Sequence, residues 1–277
     1  MRYNRSAMRE LDDSGRPNLY TTRLQKGGAL LDSMRALTLV WSDAESVAEH
    51  VAANVIGLPS RHRVRDVIQR AFIPRLVQST PKDLWRVAAA LERAGADRSV
   101  LVPLHYYLTA DSEPLLWDFV VEELYPRAGT GQEVSTEDVL RFINGRPDEL
   151  FASGRWTATV ATKVARGVLV ALRDYGVLVG ASKKRISSLH VPVESFALIA
   201  RIRYERGYRG EGVVHDDVWK LFYLGRTAVE RFLADTSARH LLRYESAGPV
   251  VRIEFPEMSL VEYGGYCTRR ATEAARV

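Results

Sequence analysis

Apolar residues recur at three- and four-residue steps along most of the chain, and this spacing is typical of helices that bury one face. Between residues 22 and 124 the pattern predicts six helices, which together indicate an α-helical bundle over residues 19–133. Capping residues and helix breakers give the predicted bounds of these helices. Five are predicted at 22–40, 44–56, 60–77, 80–95 and 114–124, and one more passes through Leu101 and Tyr107. The predicted caps are a capping box of Ser42 and Glu45 for the second helix, Ser60 for the third and Thr80 for the fourth. Residues 1–18 are polar and contain a turn cluster, so we predict that they are disordered.

The pattern changes at residue 135, where short helices are followed by two β-rich runs. Two short helices, the second at 149–151, precede a long helix at 157–175. The runs 177–179 and 186–191 predict two strands, joined by a basic loop that contains Lys183, Lys184 and Arg185. Three helices followed by such a hairpin is the order of a winged helix-turn-helix, which inserts its third helix into the major groove of DNA and holds its wing against phosphates. We therefore predict this module over residues 134–192.

The long helix has two chemically different faces. One face carries the apolar residues Ala161, Val164, Val168, Leu172 and Tyr175. The other face carries hydroxyls and cations, namely Thr159, Thr162, Lys163, Arg166 and Arg173. Such groups suit phosphate oxygens and base edges, although a basic helix face can also be no more than solvated. The adjoining cations at 183–185 favour contact with DNA, because a hairpin loop gains no stability from three adjacent positive charges.

Residues 193–256 predict a second, similar unit. A helix at 194–206 is followed by a helix that begins at Asp216 or Asp217, a third at 226–235, and a hairpin of the runs 241–245 and 251–255. Arg226, Thr227 and Arg231 are candidates for DNA contact, but acidic residues lie beside them, so the unit could equally be structural or dimerising. Trp219, like Trp156 in the first unit, is predicted to be a core residue. Residues 257–277 are predicted to be a C-terminal tail.

The third helix of the bundle is rich in arginine. Arg61, Arg63 and Arg65 crowd its first turns, and only Asp66 opposes them. One interpretation is a solvated face with some intramolecular ion pairing. The other is a helix that follows phosphates and extends the DNA contact of the winged unit.

The charge is unevenly distributed over the 277 residues, whose net charge is +5. Residues 79–133 hold 5 Lys and Arg against 9 Asp and Glu, whereas residues 134–191 hold 9 against 5. An acidic middle between basic flanks implies one positive face, and such a face favours polyanions. The single cysteine, Cys267, excludes a disulfide framework, and with no signal peptide and no apolar run near ~20 residues we expect a cytoplasmic protein with no membrane segment.

Sequence signatures of catalysis are missing. No glycine-rich run is followed by Gly-Lys-Ser/Thr, no His-Glu-x-x-His occurs, and the six histidines are scattered without ligand spacing. The carboxylates do not cluster beside a lysine as a metal-dependent nuclease requires. We therefore expect no enzyme activity, no cofactor and no metal site.

The order of elements and a few local motifs resemble a known family. A helical front half precedes Leu84-Trp85, Trp156-Thr157 open the long helix that carries Lys163, and Gly176-Val177-Leu178 end it. Together these features are similar to BrxA, the small accessory protein of bacterial BREX phage-defence systems, over residues 22–255. The resemblance implies an all-α N-terminal domain, a winged C-terminal part and DNA binding without catalysis. It also implies a role beside methyltransferase and ATPase machinery, and it supplies no catalytic residues to carry over.

Three functional hypotheses follow from the sequence. The protein is an accessory protein of phage defence that binds double-stranded DNA and contacts other defence proteins, a transcription regulator of its own operon, or an adaptor whose winged units bind proteins. Salt-dependent binding to random duplex separates the adaptor from the other two, and a large preference for one promoter indicates a regulator. The sequence does not indicate an oligomeric state.

Overall fold

The chain is mainly helical over the residues that a computed structural model describes, which are 17–129, 131–187, 189–248 and 250–274. Residues 1–16 of the segment predicted to be disordered lie outside the described residues. The α-helices within this part of the chain are α1 (Leu31–Val40), α2 (Val47–Ala53), α3 (Arg61–Val67), α4 (Leu84–Arg93), α5 (Arg98–Ser112), α6 (Pro114–Asp118), α7 (Thr136–Asn144), α8 (Ala158–Asp174), α9 (Val193–Glu205), α10 (Glu211–Val214), α11 (Arg226–Ala238) and α12 (Leu260–Ala274).

Shorter helical segments connect or extend these helices. Four are 3-10 helices, at Arg23–Lys26, Tyr125–Arg127, Asp148–Leu150 and Asp217–Phe222. Two are π-helical, of which Ile68–Val77 continues α3 and Phe119–Leu124 continues α6. The predicted third helix of the bundle, 60–77, is therefore continuous but changes its winding at Ile68.

The strands form two small antiparallel sheets. The first has the order β1 (Glu133–Val134), β3 (Lys184–Ile186), β2 (Leu178–Val179), and the second pairs β4 (Arg243–Ala247) with β5 (Val250–Glu254). The predicted strand 186–191 was wrong in its bounds, because the residues that pair are 184–186. The pairing depends on β1, a two-residue strand too short to give a pattern in the sequence.

Helix starts in the bundle differ from the prediction at three places. The capping box is formed by Ser46 and Glu49, not by Ser42 and Glu45. The predicted helix 22–40 is interrupted after Lys26, where the backbone turns through glycines 27 and 28. The helix predicted to begin at Thr80 begins after Asp83 instead. Only the first of these starts has a side-chain cap, because the residues before α1 and α4, Leu30 and Asp83, have left-handed backbone conformations and make no capping hydrogen bond.

The core continues from the N-terminal helices into the C-terminal ones. α12 packs on α4, where Gly264 lies against Val87, and its Tyr263 and Cys267 are buried. Residues of the predicted tail thus contribute to the core. The predicted domain boundaries at residues 133, 192 and 256 stay predictions.

Two buried ion pairs also join distant parts of the chain to α9. Arg203 donates two hydrogen bonds to Asp216, at 2.5 and 3.2 Å, and Arg206 donates two to Asp111 of α5, both at 2.6 Å. Both pairs are bidentate, which is the strongest geometry between a guanidinium and a carboxylate. Both pairs link the end of α9 to another segment, and removal of either partner would leave a buried charge unpaired.

Trp219 belongs to the core as predicted, with 1% of its surface exposed. Its indole stacks on Phe196 and donates a 2.6 Å hydrogen bond to the Val213 carbonyl. We expect Trp219→Ala to cost about 3–5 kcal/mol of unfolding free energy, because it leaves a cavity between α9 and α10. Thermal melting checks this, with Lys220→Ala as the control, because Lys220 is a more exposed residue on the same 3-10 helix. Equal melting temperatures for the two variants would contradict the assignment.

His105 of α5 is a buried titratable group, and its Nε2 has no hydrogen-bond partner among the described residues. Burial, followed by the nearby positive charges of Arg75 and Arg35, lowers the pKa of His105 to about 3. In the unfolded chain the pKa of a histidine is about 6.5. Between these two values the unfolded chain binds a proton that the folded protein does not, so stability falls as the pH falls below about 6.5.

We expect His105 to contribute a loss of about 2 kcal/mol in unfolding free energy between pH 7 and pH 5. His105→Leu should remove that part of the slope, whatever its effect on stability at pH 7. Denaturant unfolding at a series of pH values measures this dependence of the unfolding free energy on pH. His240→Asn is the matched control, since His240 is exposed and has a positive φ of 58° that asparagine tolerates. An unchanged slope in His105→Leu would contradict the assignment.

Candidate nucleic-acid interface

Helix α8 has the predicted position and the predicted buried face. Thr157 caps it by accepting a hydrogen bond from the Val160 N–H at 3.4 Å, and Tyr175 ends it. The predicted core residues Ala161, Val164, Val168, Leu172 and Tyr175 are all buried. The helix is therefore fixed through its apolar side, and its polar side is presented outward.

The outward side of α8 carries two cations that lack an ion-pair partner among the described residues, whereas Arg173 on the predicted polar face pairs with Asp174 at 2.9 Å. Thr159, Lys163 and Arg166 are exposed and follow one another at four- and three-residue steps, so they form one stripe. Neither Lys163 nor Arg166 has an ion-pair partner within the part of the chain that the structure describes. Thr162 is half-buried, and its hydroxyl donates a 2.8 Å hydrogen bond to the Ala158 carbonyl. Of the two threonines, only Thr159 presents its hydroxyl without such a bond.

The hairpin after α8 carries the predicted basic residues on its turn and on β3. Lys183 and Arg185 are 76% and 60% exposed, and each lies 3.5 Å from the same carboxylate oxygen of Glu133. Lys184 is half-buried and donates to the Ala181 carbonyl at 2.9 Å. The turn needs Gly180, whose φ is 101° and whose added Cβ would lie 2.0 Å from the Lys183 carbonyl oxygen. One carboxylate thus faces two of the three cations, and the hairpin keeps a positive excess.

The N-terminal segment packs directly on the back of α8. The 3-10 helix Arg23–Lys26 crosses α8 at Gly167, where an added Cβ would lie 2.0 Å from the Leu24 carbonyl oxygen. Further on, Gly28 lies against Val170, and the Ala29 N–H donates to the Asp174 carboxylate at 3.3 Å. The sequence prediction missed this contact. A glycine in the middle of α8 was the available signal, since such a residue often marks a close approach of another backbone.

The arginines of α3 lie near this contact. Arg61 and Arg65 are exposed, whereas Arg63 is half-buried and donates to the Lys26 carbonyl. That hydrogen bond ties α3 to the same 3-10 helix that crosses α8. The structure thus links the predicted cations of the bundle to those of α8 through one short segment.

The cations of the second unit are paired with carboxylates. Arg226 lies 2.9 Å from Glu230 and 3.2 Å from Glu211, and Arg243 lies 2.6 Å from Glu245. Thr227 and Arg231 are exposed on α11. Because Arg226 already faces two acids, this unit offers less positive charge to a polyanion than α8 and its hairpin do.

Among the described residues, no group of three or more His, Cys, Asp or Glu side chains is arranged to hold a metal ion. Among the same residues, every helix is too short or too polar to cross a bilayer.

Comparison with protein families identifies the chain. Residues 18–203, more than half of its length, match the model of the BrxA family. The chain belongs to the BrxA family. The BrxA match includes α3, α8 and the hairpin, and it ends within α9, so most of the second unit lies beyond it. Searches of curated proteins and of solved structures returned no match. BrxA membership supports a BREX-associated role.

The contact at Gly167 gives a test of how α8 is held in this BrxA protein. We expect Gly167→Ala to destabilise the fold by about 1–3 kcal/mol, because its Cβ would overlap the Leu24 carbonyl. Gly212→Ala is the matched control, since Gly212 lies in α10 and an added Cβ there meets nothing within 4 Å. Alanine at such a site is neutral or stabilises by up to about 1 kcal/mol. Thermal melting that ranks the two variants in the opposite order would contradict the packing.

Proposed function

We propose that this protein is a non-catalytic accessory protein of a bacterial BREX-type phage-defence system that binds double-stranded DNA through the phosphate backbone. The observation that carries the proposal is the unpaired, exposed stripe of Lys163 and Arg166 beside the basic hairpin. Cations that lack protein partners bind phosphates without first breaking an ion pair, and each contact releases counterions from the DNA. BrxA membership supports the defence role.

We propose that residues 134–192 form a winged helix-turn-helix, with α8 as the helix that enters the major groove. The order β1, α7, α8, β2, β3 and the strand order β1-β3-β2 support this fold. In winged domains the helix contacts base edges and the wing contacts phosphates. We propose that residues 193–256 form a second winged-helix-like unit, in which α11 and the β4–β5 hairpin stand where α8 and its hairpin stand in the first.

Sequence selectivity is expected to be weak. Direct readout of bases needs side chains that offer a defined pair of donors and acceptors, such as Asn, Gln or Arg held in a bidentate arrangement. The exposed face of α8 offers mainly cations, and the hydroxyl of Thr162 already donates to the helix backbone. Binding through phosphates fixes position on the duplex but does not read sequence.

We propose that the protein acts in the cytoplasm and uses no cofactor or metal. Its partners are double-stranded DNA and other proteins of the defence system. The missing catalytic motifs support a role without chemistry of its own, in which the protein brings defence components and DNA together.

The test compares two triple alanine variants of equal charge change. The first replaces Lys183, Lys184 and Arg185, and the second replaces Arg226, Arg231 and Arg243. Lys184 is half-buried and the other five residues are exposed. Substitution at such surface positions changes stability by less than about 0.5 kcal/mol, so both variants should melt close to wild type. We expect the first variant to lose at least about tenfold in duplex affinity and the second to lose less, because Arg226 and Arg243 are already paired. Fluorescence anisotropy with a random duplex measures the affinity of wild type and of both variants.

The same experiment separates the other hypotheses. Equal affinity of wild type and both variants would overturn the role of the hairpin and assign the DNA surface to Arg61, Arg63 and Arg65. A large preference for one promoter duplex would favour a regulator, and no binding to any duplex would favour a protein adaptor. Cells that carry the first variant should also lose protection from phage.

A further inference from the structure

A cationic cleft lies between the 3-10 helix Arg23–Lys26 and the helix formed by α3 and its π-helical continuation. Five cations and one acid line it: Arg23, Lys26, Arg63, Asp66, Arg70 and Arg75. Its enclosed volume is about 10 Å³, which is room for no more than one water molecule. A larger anion therefore binds at the mouth of the cleft and not inside it.

The floor and the mouth of the cleft have different roles. Arg75 is 97% buried, and it donates to the carbonyls of Ala29 at 2.8 Å and Gly28 at 3.4 Å, so it supports the backbone beneath the cleft. The ammonium of Lys26 and the guanidinium of Arg70 are each nearly half exposed, at 43% and 46%. These two side chains are able to reach a ligand from solvent.

Asp66 is the acid that opposes these exposed cations. Its carboxylate lies 2.7 Å from Lys26 Nζ, 4.0 Å from Arg70 Nε and 3.7 Å from His62 Nε2. The hydrogen bond from Lys26 holds the pKa of Asp66 below its usual value, so the carboxylate is ionised at neutral pH. A phosphate that enters the mouth meets this negative charge and competes with it for the same cations.

The cleft adjoins the surface of α8. The 3-10 helix that forms one wall crosses α8 at Gly167, next in sequence to the exposed Arg166. Arg63, on the opposite wall, is hydrogen-bonded to the Lys26 carbonyl. The N-terminal segment therefore connects both walls of the cleft to α8.

We propose that the mouth of this cleft binds a phosphodiester of the same duplex that α8 contacts, and that Asp66 weakens this binding by competing for Lys26 and Arg70. This inference rests on the proposed function, and it extends the DNA surface from α8 onto the bundle. Removal of the competing carboxylate therefore strengthens duplex binding, whereas loss of the two cations weakens it.

The test uses substitutions of opposite sign in the full-length protein. We expect Asp66→Asn to bind a random duplex at least about threefold more tightly, with a salt slope steeper by about one. A Lys26→Ala, Arg70→Ala double variant should bind the duplex at least about threefold more weakly. Adding Asp66→Asn to this double variant should give no gain in affinity, because the two cations that Asp66 competes for are already removed. Unfolding would lower affinity in every case, so a gain cannot come from damage to the fold.

Asp43→Asn is the matched control. It removes one carboxylate from an exposed ion pair with Arg86, beyond the far end of α1 from the cleft. α1, ten residues and about 15 Å long, separates Asp43 along the chain from Leu30 at the cleft. The affinity of Asp43→Asn should equal that of wild type. An equal gain from Asp43→Asn would overturn the proposal, because the effect would then be one of net charge.

Failure of the inference is distinguishable from failure of the proposed function. If the hairpin variant loses affinity while the cleft variants bind like wild type, the cleft proposal is wrong and the proposed function stands. A third outcome is that Asp66→Asn leaves duplex affinity unchanged, while inorganic phosphate raises the melting temperature of this variant more than chloride of equal ionic strength does. The cleft then binds free phosphate and not DNA, and the proposal is likewise wrong. If Asp66→Asn does not fold, the double variant decides alone, since unchanged affinity in it overturns the proposal.

Discussion

The carbonyl oxygen of Leu24 approaches α8 so closely that any residue larger than glycine at position 167 would overlap it. This contact, with Gly28 against Val170 and Arg75 holding the carbonyls of residues 28 and 29, fixes the N-terminal segment to the back of α8. One side of α8 is thereby buried along its length, and Lys163 and Arg166 are left outward. The same segment accepts a hydrogen bond from Arg63 of α3, so it connects α8 to the arginine-rich helix of the bundle.

Ion pairing, more than the number of cations, decides where this surface can bind a polyanion. Arg226 and Arg243 each face carboxylates within about 3 Å, so a phosphate gains little at either one. Lys183 and Arg185 of the hairpin share the carboxylate of Glu133, and Lys163 and Arg166 of α8 have no ion-pair partner in the described part of the chain. A formal charge of +5 does not distinguish these cases, because it counts paired and unpaired residues alike.

Local patterns were sufficient to predict α8, its buried face and the burial of Trp219, because helical periodicity reports directly on which side of a helix is apolar. The Ser46 capping box, the break after Lys26 and the pairing of β1 with β3 could not be predicted in this way. Ser42 and Ser46 are each followed by a glutamate three residues later, so the sequence offers two equivalent capping boxes. The pairing of β1 with β3 joins residues far apart in sequence, such as Glu133 with Arg185. The same limit applies to the candidate site: its residues were identified from their chemistry, but whether an arginine is free or paired is decided by the fold.

The central claim is that the protein binds duplex DNA through its phosphates. The most direct measurement is the affinity of the wild-type protein for a random duplex between about 50 and 200 mM salt. Contacts to ~4–8 phosphates predict that the logarithm of affinity falls against the logarithm of salt with a slope of roughly −4 to −7. A slope near zero, or binding that salt does not weaken, would contradict the account.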